Sequence, residues 1–260
     1  ALLCQRRTGG IKVKNKVLDF SFKYGALIFI GIILLFFSLY NEYFFTYSNL
    51  TDILRSISIV TFVAIGVTIS LMVDGFDLSA GSTVSLSTVV TATLMIWYEL
   101  PLPVVIVVPL LVGAAVGLLN SFLIVKVRIP DLLATLAVMY IVSGLHRTYT
   151  KGYSIYNNMQ LADGSKAPGK MYDSFLWIGQ GKLLGVPFPV ILMLIAVIAA
   201  HLFFKYTRWG RQVIMTGGNE EAARLSGLRV KRIRVWAYVA SGVFAAIGGV
   251  LFAARVGSGQ

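Results

Sequence analysis

Seven apolar runs of roughly membrane-spanning length constrain the fold of this chain more than any other feature of its sequence. The runs cover about residues 24–40, 53–73, 82–98, 103–125, 130–146, 187–204 and 236–254. A helix needs about 20 predominantly apolar residues to cross the hydrocarbon core of a bilayer. The composition agrees, because only 13% of the residues are charged, against about 25% in soluble domains. The sequence therefore predicts an all-α, polytopic transmembrane helix bundle that forms one domain over residues 1–260, with about seven spans.

Basic residues are concentrated on one side of the predicted spans. Six Lys and Arg residues precede the first run, two lie within 126–128, and eight lie within 205–234. Seven crossings place these 16 of the 23 Lys and Arg residues on the same side, which the positive-inside rule makes the cytoplasm. We therefore expect a cytoplasmic N-terminal arm at 1–23, an exterior loop at 147–186 and a cytoplasmic loop at 205–235.

Several functional classes are disfavoured by composition. The concentration of Lys and Arg on the cytoplasmic side of the spans accounts for the net charge of +12 without nucleic acid. In addition, no basic patch is interleaved with aromatic residues, as in proteins that bind nucleic acids. The single cysteine, Cys4, excludes intramolecular disulfides and cysteine-based metal clusters. No Ser-His-Asp or His-Glu-x-x-His arrangement is visible. We therefore expect a protein that is not an enzyme, with no catalytic residues and no metal site.

A polar motif at 73–82, Val-Asp-Gly-Phe-Asp-Leu-Ser-Ala-Gly-Ser, separates two apolar runs with almost no room for a loop. An ionisable residue at membrane depth is a functional candidate, because irregular backbone there must be covered by protein or reached by water. The same residues also suit a tight turn in which Asp77 or Ser79 caps the following helix. The sequence leaves both interpretations open.

A second polar motif, at 217–228, has the signals of a short helix. Asn219 is a good N-cap, Glu220 and Glu221 suit the positive end of the helix dipole, and Gly227 ends the helix. We predict a helix of about two turns over 219–226. Such a short helix is marginal alone in water, so it either packs on its own bundle or docks a soluble partner.

Small residues recur in two of the apolar runs. They favour close helix packing, within the chain or between subunits. They are Ser241, Ala245, Gly249 and Ala253 in the last run, and Gly113 and Gly117 in an earlier one.

Segment 147–186 is the only sizeable exterior piece. Its aromatic residues suit the membrane interface or a docked partner; they include Tyr149, Tyr153, Tyr156, Tyr172, Phe175 and Trp177. Residues 164–171 match a phosphate-binding loop except at Met171, where a Ser or Thr would bind magnesium. We interpret them as a turn.

The two polar motifs together resemble the permease family of bacterial ABC importers for ribose, xylose, galactose and related small sugars. The resemblance is carried by Gly-Phe-Asp-Leu-Ser-Ala-Gly-Ser at 75–82 and by Gly-Gly-Asn-Glu-Glu-Ala-Ala-Arg-Leu-Ser-Gly-Leu at 217–228. Stretches 129–136 and 238–242 also look similar. Two departures stand out: Phe76 replaces a more usual isoleucine, and Asp131 stands where an aromatic residue is common.

The resemblance implies roles for particular residues. The loop that couples to the ATPase would consist of Gly218, Asn219, Glu220, Glu221, Ala222, Ala223, Arg224 and Gly227. The segment near the translocation pathway would include Asp77, Leu78, Ser79, Gly81 and Ser82. A neutral sugar needs hydrogen-bonding groups along its path, and the following span offers Ser85, Ser87, Thr88 and Thr91. We predict that at least some of these four face a central cavity.

The resemblance also implies partners and a location. It predicts a multi-pass protein of the bacterial cytoplasmic (inner) membrane, with a cytoplasmic N-terminus, that moves a small sugar using ATP hydrolysed by a separate subunit. The expected partners are a cytoplasmic ABC ATPase, an extracytoplasmic sugar-binding protein, a second permease copy or paralogue, and the lipid bilayer. ATP and Mg would bind to the ATPase, and this chain would hold no cofactor. Family members usually continue for two or three further spans, so we expect a C-terminal truncation.

Two other functions are compatible with the sequence. In an ion-coupled secondary transporter, Asp74 or Asp77 would bind a proton or sodium ion at a broken helix. In a structural membrane subunit without a pathway, the surroundings of Asp77 would be fully packed and dry.

Overall fold

The computed structural model describes residues 16–160 and 164–260, which divide after Leu50 into two compact units. The helices are α1 Lys16–Tyr40, α2 Tyr47–Leu71, α3 Ala80–Ile96, α4 Leu102–Ser121, α5 Asp131–Thr150, α6 Asp173–Gln180, α7 Phe188–Tyr206, α8 Arg208–Gly218, α9 Glu220–Leu225 and α10 Val230–Val256. Most of the predicted N-terminal arm lies outside the described residues. From Lys16 onward the arm already belongs to α1.

A π-helical turn and four short strands accompany the helices in the described residues. Helix α4 continues into a π-helical turn, Phe122–Val127, which ends at Arg128 with a φ of 68°. The strands are β1 Ile155–Tyr156, β2 Lys182–Leu183, β3 Val186–Pro187 and β4 Ser258–Gly259. Strand β1 pairs antiparallel with β4, and β2 pairs antiparallel with β3.

Each of the seven predicted apolar runs coincides with a helix, so the all-α prediction is confirmed. Among the described residues, four helical segments are long and apolar enough to cross a membrane. They are Tyr47–Leu71, Leu102–Val127, Phe188–Tyr206 and Val230–Val256. The apolar helices Leu27–Tyr40 and Ala80–Ile96 are shorter. The total of about seven spans therefore stays a prediction.

Helix α10 is a central element of the second unit. Of its most apolar 18-residue window, 67% is buried, against 11% for α7. A Cβ atom added to Gly242 would lie 2.1 Å from the carbonyl oxygen of Gly113 in α4, and one added to Gly249 would lie 2.5 Å from that of Val84 in α3. The small residues therefore serve packing within the chain, where they let α10 touch the backbones of α3 and α4.

The segment predicted as an exterior loop packs against the ends of α3 and α10. Its buried residues join the largest apolar core of this unit; they are Ile155, Met159, Ala167, Met171 and Phe175. Phe175 has no exposed surface, so its predicted interface role is wrong, because the side chain fills the core. Met171 is also buried, and α6 begins only at Asp173. The structure therefore supports a turn at 164–171 rather than a phosphate-binding loop.

Candidate functional site

Residues 72–79, here called the 72–79 turn, join α2 to α3 and carry the first polar motif. The backbone reverses at Asp74, whose φ is 56°, and the N–H of Gly75 donates to the carbonyl of Ser70 at 3.0 Å. Asp74 is exposed, whereas Asp77 is only 4% exposed. The turn therefore places one of its two carboxylates inside the protein.

Three buried side chains surround the inner carboxylate: Ser79, Asn120 and Ser241. Together with Asp77 they are called here the Asp77 cluster. Oδ1 of Asp77 accepts from the N–H of Ser79 at 2.9 Å and from its hydroxyl at 2.7 Å. Oδ2 accepts from the hydroxyl of Ser241 at 2.6 Å. The amide of Asn120 donates to Ser79 Oγ at 2.7 Å and lies 3.4 Å from Asp77 Oδ1. These bonds tie the turn to α4 and α10.

The predicted capping role of this motif is only half right. Asp77 accepts the N–H of Ser79 two residues further on and so stabilises the turn. Ser79 occupies the N-cap position of α3, but its side chain makes no capping hydrogen bond. The hydroxyl is instead committed to Asp77, and the residue has helical rather than extended backbone angles.

The second set of polar contacts, the Asp131 cluster, consists of Asp131, Glu220, Arg234 and Tyr238. Nη2 of Arg234 lies 3.0 and 2.7 Å from the two carboxylate oxygens of Asp131, and the hydroxyl of Tyr238 donates to Oδ2 at 2.7 Å. Nη1 of Arg234 lies 3.4 Å from Oε2 of Glu220. Asp131 is the first residue of α5, where the helix dipole favours an acid. This unusual acid therefore has a clear role, since it links α5 to α10 and, through Arg234, to α9.

Helices α8 and α9 form a helical connector, residues 208–225, that touches the 72–79 turn directly. A Cβ atom on Gly217 would lie 2.1 Å from the carbonyl oxygen of Met72. Further along the turn, a Cβ on Gly75 would lie 2.5 Å from the hydroxyl of Tyr238. The hydroxyl of Thr135 in α5 donates to the carbonyl of Phe76 at 3.1 Å. The turn is therefore the point where the connector, α5 and α10 meet.

The second motif forms the short helix that the sequence predicts. Oδ1 of Asn219 accepts from the N–H of Ala222 at 2.9 Å, and Gly227 has a φ of 81°. Helix α9 spans Glu220–Leu225, slightly less than the predicted 219–226. Leu225 is 81% exposed. The predicted coupling residues are also exposed, apart from the buried Ala223; these are Gly218, Asn219, Glu220, Glu221, Ala222, Arg224 and Gly227.

A basic cavity of about 500 Å³ lies beside α9. Glu220 and Arg224 line it together with Asp131 and Arg234. The wall also includes Arg128 and Lys231. The Asp131 cluster is therefore open on one side to a polar space next to the connector.

The predicted pathway residues divide between buried and accessible positions. The buried ones are Asp77, Ser79, Ser82, Ser87, Thr88 and Thr91. Leu78 and Ser85 are partly accessible and Gly81 is exposed; Gly81 and Ser85 lie four residues apart on one face of α3. The hydroxyl of Thr88 lies 2.7 Å from the carbonyl oxygens of both Ser85 and Gln260. Of the four predicted hydroxyl residues in this span, only Ser85 is partly accessible.

Sequence reasoning did not identify Asn120, Arg234 or Tyr238 as members of a site, and it assigned Ser241 only to helix packing. Asn120 is an amide near the end of an otherwise apolar helix, and that position could have marked it as a candidate. Arg234 and Tyr238 gave no such signal, because their partner Asp131 lies more than 100 residues earlier in the chain. Across 16–160 and 164–260, no group of three or more His, Cys, Asp and Glu residues is arranged to hold a metal ion.

The structure thus combines several apolar helices of membrane-spanning length with two internal polar clusters and a short exposed helix, α9. The family described as "Branched-chain amino acid transport system / permease component" matches residues 49–260. The chain belongs to this family of transport-system permeases. It is accordingly a transport subunit rather than an enzyme, and a multi-pass protein of the inner membrane.

Named relatives confirm the resemblance to sugar importer permeases. The ribose import permease protein RbsC of Escherichia coli K12 is 34% identical over 235 residues, which cover 90% of this chain and 70% of the relative. The galactose/methyl galactoside import permease protein MglC of Haemophilus influenzae is 33% identical over 257 residues, covering 94% and 74%. The L-arabinose transport system permease protein AraH of Escherichia coli K12 is 35% identical over 246 residues, covering 92% and 68%. No solved structure matches the chain.

Proposed function

We propose that this chain is the membrane-spanning permease of an ABC importer that carries a small sugar into the cell, using ATP hydrolysed by a separate subunit. The observation that carries the proposal is the identity of 33 to 35% with permeases named for ribose, galactose and L-arabinose, over at least 90% of this chain. The ligands in those names are neutral pentoses and hexoses. The proposed substrate class is therefore a small neutral sugar.

The exposed α9 is proposed to dock the ATPase. Its first turn presents Glu220 and Glu221, and its last residue, Leu225, presents an apolar side chain to solvent. An exposed leucine beside charged residues suits a protein interface, in which an apolar anchor is surrounded by a polar rim. Docking here would place the ATPase against the connector.

Two contacts would carry movement of the connector into the bundle. The first is the backbone contact between Gly217 and Met72 at the start of the 72–79 turn. The second is the ion-pair series from Glu220 through Arg234 to Asp131. The first contact lies in the turn that holds Asp77, and the second ends at Asp131, whose Oδ2 would lie 3.1 Å from a Cβ added to Gly75 in that turn. A displaced connector would therefore shift the beginning of α3.

The same proposal assigns the pathway and the topology. Leu78 at the end of the 72–79 turn, with Gly81 and Ser85 on the accessible face of α3, would face the sugar, and the buried hydroxyls behind them would support that face. The chain would cross the membrane about seven times with its N-terminus and connector in the cytoplasm. A binding protein would deliver sugar from the opposite side, and a second permease would complete the pathway.

Reconstitution into liposomes tests this function. Permease, ATPase and binding protein are reconstituted together, and uptake of labelled ribose, galactose and L-arabinose is measured. We expect uptake of at least one of the sugars. This uptake should require ATP on the side of the membrane where the ATPase docks, and it should continue when ionophores remove the ion gradients. Uptake that continues without ATP but collapses with the ion gradient would contradict the proposal. The comparisons with known permeases give no support to that ion-coupled alternative.

A pair of glycine variants tests the proposed contact between connector and turn. Gly217→Ala is expected to lower sugar-stimulated ATP hydrolysis by tenfold or more, because its Cβ would lie 2.1 Å from the Met72 carbonyl oxygen and push α8 away. Overpacking of this kind costs about 1–3 kcal/mol, and 1.4 kcal/mol corresponds to about tenfold. Gly144→Ala in α5 is the matched control, because it also changes a helical glycine and no atom lies within 4 Å of its added Cβ. Equal activity of the two variants would reject the contact as a coupling element.

A further inference from the structure

An apolar groove runs along α7 on the second unit. It has a volume of about 630 Å³ and lies between α7, α8 and α10, with Ile69 of α2 at its wall. Alanines widen it on both sides: Ala196, Ala199 and Ala200 on α7, and Ala237 and Ala240 on α10. Only 11% of the apolar window of α7 is buried. The groove is therefore a shallow channel between two helices of the membrane domain.

A basic pocket continues the groove at the end where α7 gives way to α8. It has a volume of about 380 Å³, and its polar lining includes Arg208, Gln212, Arg229 and Arg232. Trp209 and Ile233 line both the groove and the pocket, so the two spaces adjoin. Within the part of the chain that the structure describes, none of the three arginines pairs with a carboxylate. Three positive charges thus stand at one end of an apolar channel.

The length of the groove matches one leaflet of a bilayer. Ala196 and Tyr206, the last residue of α7, are ten residues apart, which corresponds to roughly 15 Å at 1.5 Å per helical residue. Half of the hydrocarbon core of a bilayer is roughly 15 Å thick. Trp209 and Trp236 line the groove and are 54% and 62% exposed, as aromatic residues at a membrane interface commonly are. With α7 across the membrane, this spacing would place the arginines at headgroup depth and the alanines at acyl-chain depth.

We propose that the groove and the basic pocket form one binding site for an anionic phospholipid. One acyl chain lies along the alanines between α7 and α10, and the phosphate lies among Arg208, Arg229 and Arg232. Guanidinium groups suit this role because their donors match phosphate oxygens in pairs. A zwitterionic headgroup would bring its ammonium group close to three uncompensated arginines. The charge of the pocket therefore selects an anionic headgroup over a neutral one.

Native mass spectrometry of the full purified chain tests the site. The chain in detergent is titrated with dioleoylphosphatidylglycerol or with dioleoylphosphatidylcholine, and the first bound lipid is quantified. We expect a clear preference for phosphatidylglycerol. Substitution of all three arginines by glutamine should weaken that binding about a hundredfold, since each basic residue near an anionic lipid contributes about 1 kcal/mol, or about fivefold. The control is Lys166→Gln with Lys170→Gln, two exposed lysines outside the site.

A second variant tests the acyl-chain half of the site. Ala199→Phe fills the groove without touching the arginines, and Ile198→Phe is its control, because the exposed Ile198 does not line the groove. We expect Ala199→Phe to remove the bound phosphatidylglycerol and Ile198→Phe to retain it. Because both positions lie on the weakly buried α7, both variants should fold.

Several outcomes would overturn the proposal. Equal binding of the two lipids, or undiminished binding by the triple glutamine variant, would remove the role of the arginines. Phosphatidylglycerol binding that survives Ala199→Phe, or that inorganic phosphate displaces completely, would indicate a headgroup contact without a groove. Cysteine crosslinks from Ala200→Cys to another polypeptide would assign the groove to a protein helix instead.

Discussion

Reversal of both charges in the first turn of α9, Glu220→Lys with Glu221→Lys, is expected to abolish sugar-stimulated ATP hydrolysis by the reconstituted importer. Both side chains are largely exposed, at 60% and 77%, so they are free to face the proposed ATPase. Like charges brought together at an interface cost several kcal/mol, which exceeds a hundredfold in affinity. The lysine at 220 would also repel Arg234 and break its contact with α9. The measurement is phosphate release with and without sugar-loaded binding protein.

Two controls separate docking from the internal ion pair. Lys166→Glu with Lys170→Glu changes as much charge at exposed positions far from α9 in sequence, and it should leave coupling unchanged. Glu220→Gln removes the ion pair with Arg234 while it adds no repulsion, and we expect a partial loss. Full stimulation by the double lysine variant, at a normal level in the membrane, would show that α9 does not dock the ATPase.

The largest expected effect on stability is that of Gly242→Leu. The site admits no side chain, because an added Cβ would lie 2.1 Å from the Gly113 carbonyl oxygen and 3.1 Å from the Gly117 amide nitrogen. Overpacking usually costs about 1–3 kcal/mol, and here the obstacle is backbone, which cannot rotate aside. We expect a loss of more than about 3 kcal/mol, visible as a sharp fall in folded yield and in the thermal unfolding midpoint in detergent.

The matched control for this substitution is Gly144→Leu. Gly144 is an exposed helical glycine of α5, and nothing lies within 4 Å of its added Cβ. Because leucine has a higher helix propensity than glycine, this variant should be at least as stable as the wild type. Equal stability of the two variants would mean that α4 and α10 do not pack as closely as described.

The sequence predicts features whose causes are local. Hydropathy locates all seven apolar helices, because each run carries its own signal over about 20 residues. The connector helix is equally local: Asn219 caps it and Gly227 ends it within one short stretch. The two polar motifs together were specific enough to indicate the family.

Features that depend on packing between distant segments are not predictable in the same way. Asp131 finds Arg234 and Tyr238 across more than 100 residues, and no pattern near any of the three indicates the others. Phe175 has the composition signal of an interface aromatic, yet the fold of its segment carries it into the core. In both cases the deciding interaction is tertiary.

The candidate site shows the same division. Asp77 and Ser79 were identified because polar residues between apolar runs are conspicuous. Their partners Asn120 and Ser241 lie on other helices and complete a buried hydrogen-bonded network. The burial of Ser87, Thr88 and Thr91 likewise cannot be predicted from the sequence, because α3 has polar groups on more than one face and its sequence does not indicate which face is covered.

The antiparallel pairing of β1 with β4 joins two distant segments at one end of the second unit. Ile155 pairs with Gly259 and Tyr156 with Ser258, which fastens the segment after α5 to the segment after α10 beside the apolar core at the ends of α3 and α10. The opposite ends of α3 and α10 hold the 72–79 turn and Arg234. A displacement of the connector would therefore act on the ends of α3 and α10 that lie opposite the paired strands. We expect displacement to be greatest beside Asp77 and to fade toward Phe175.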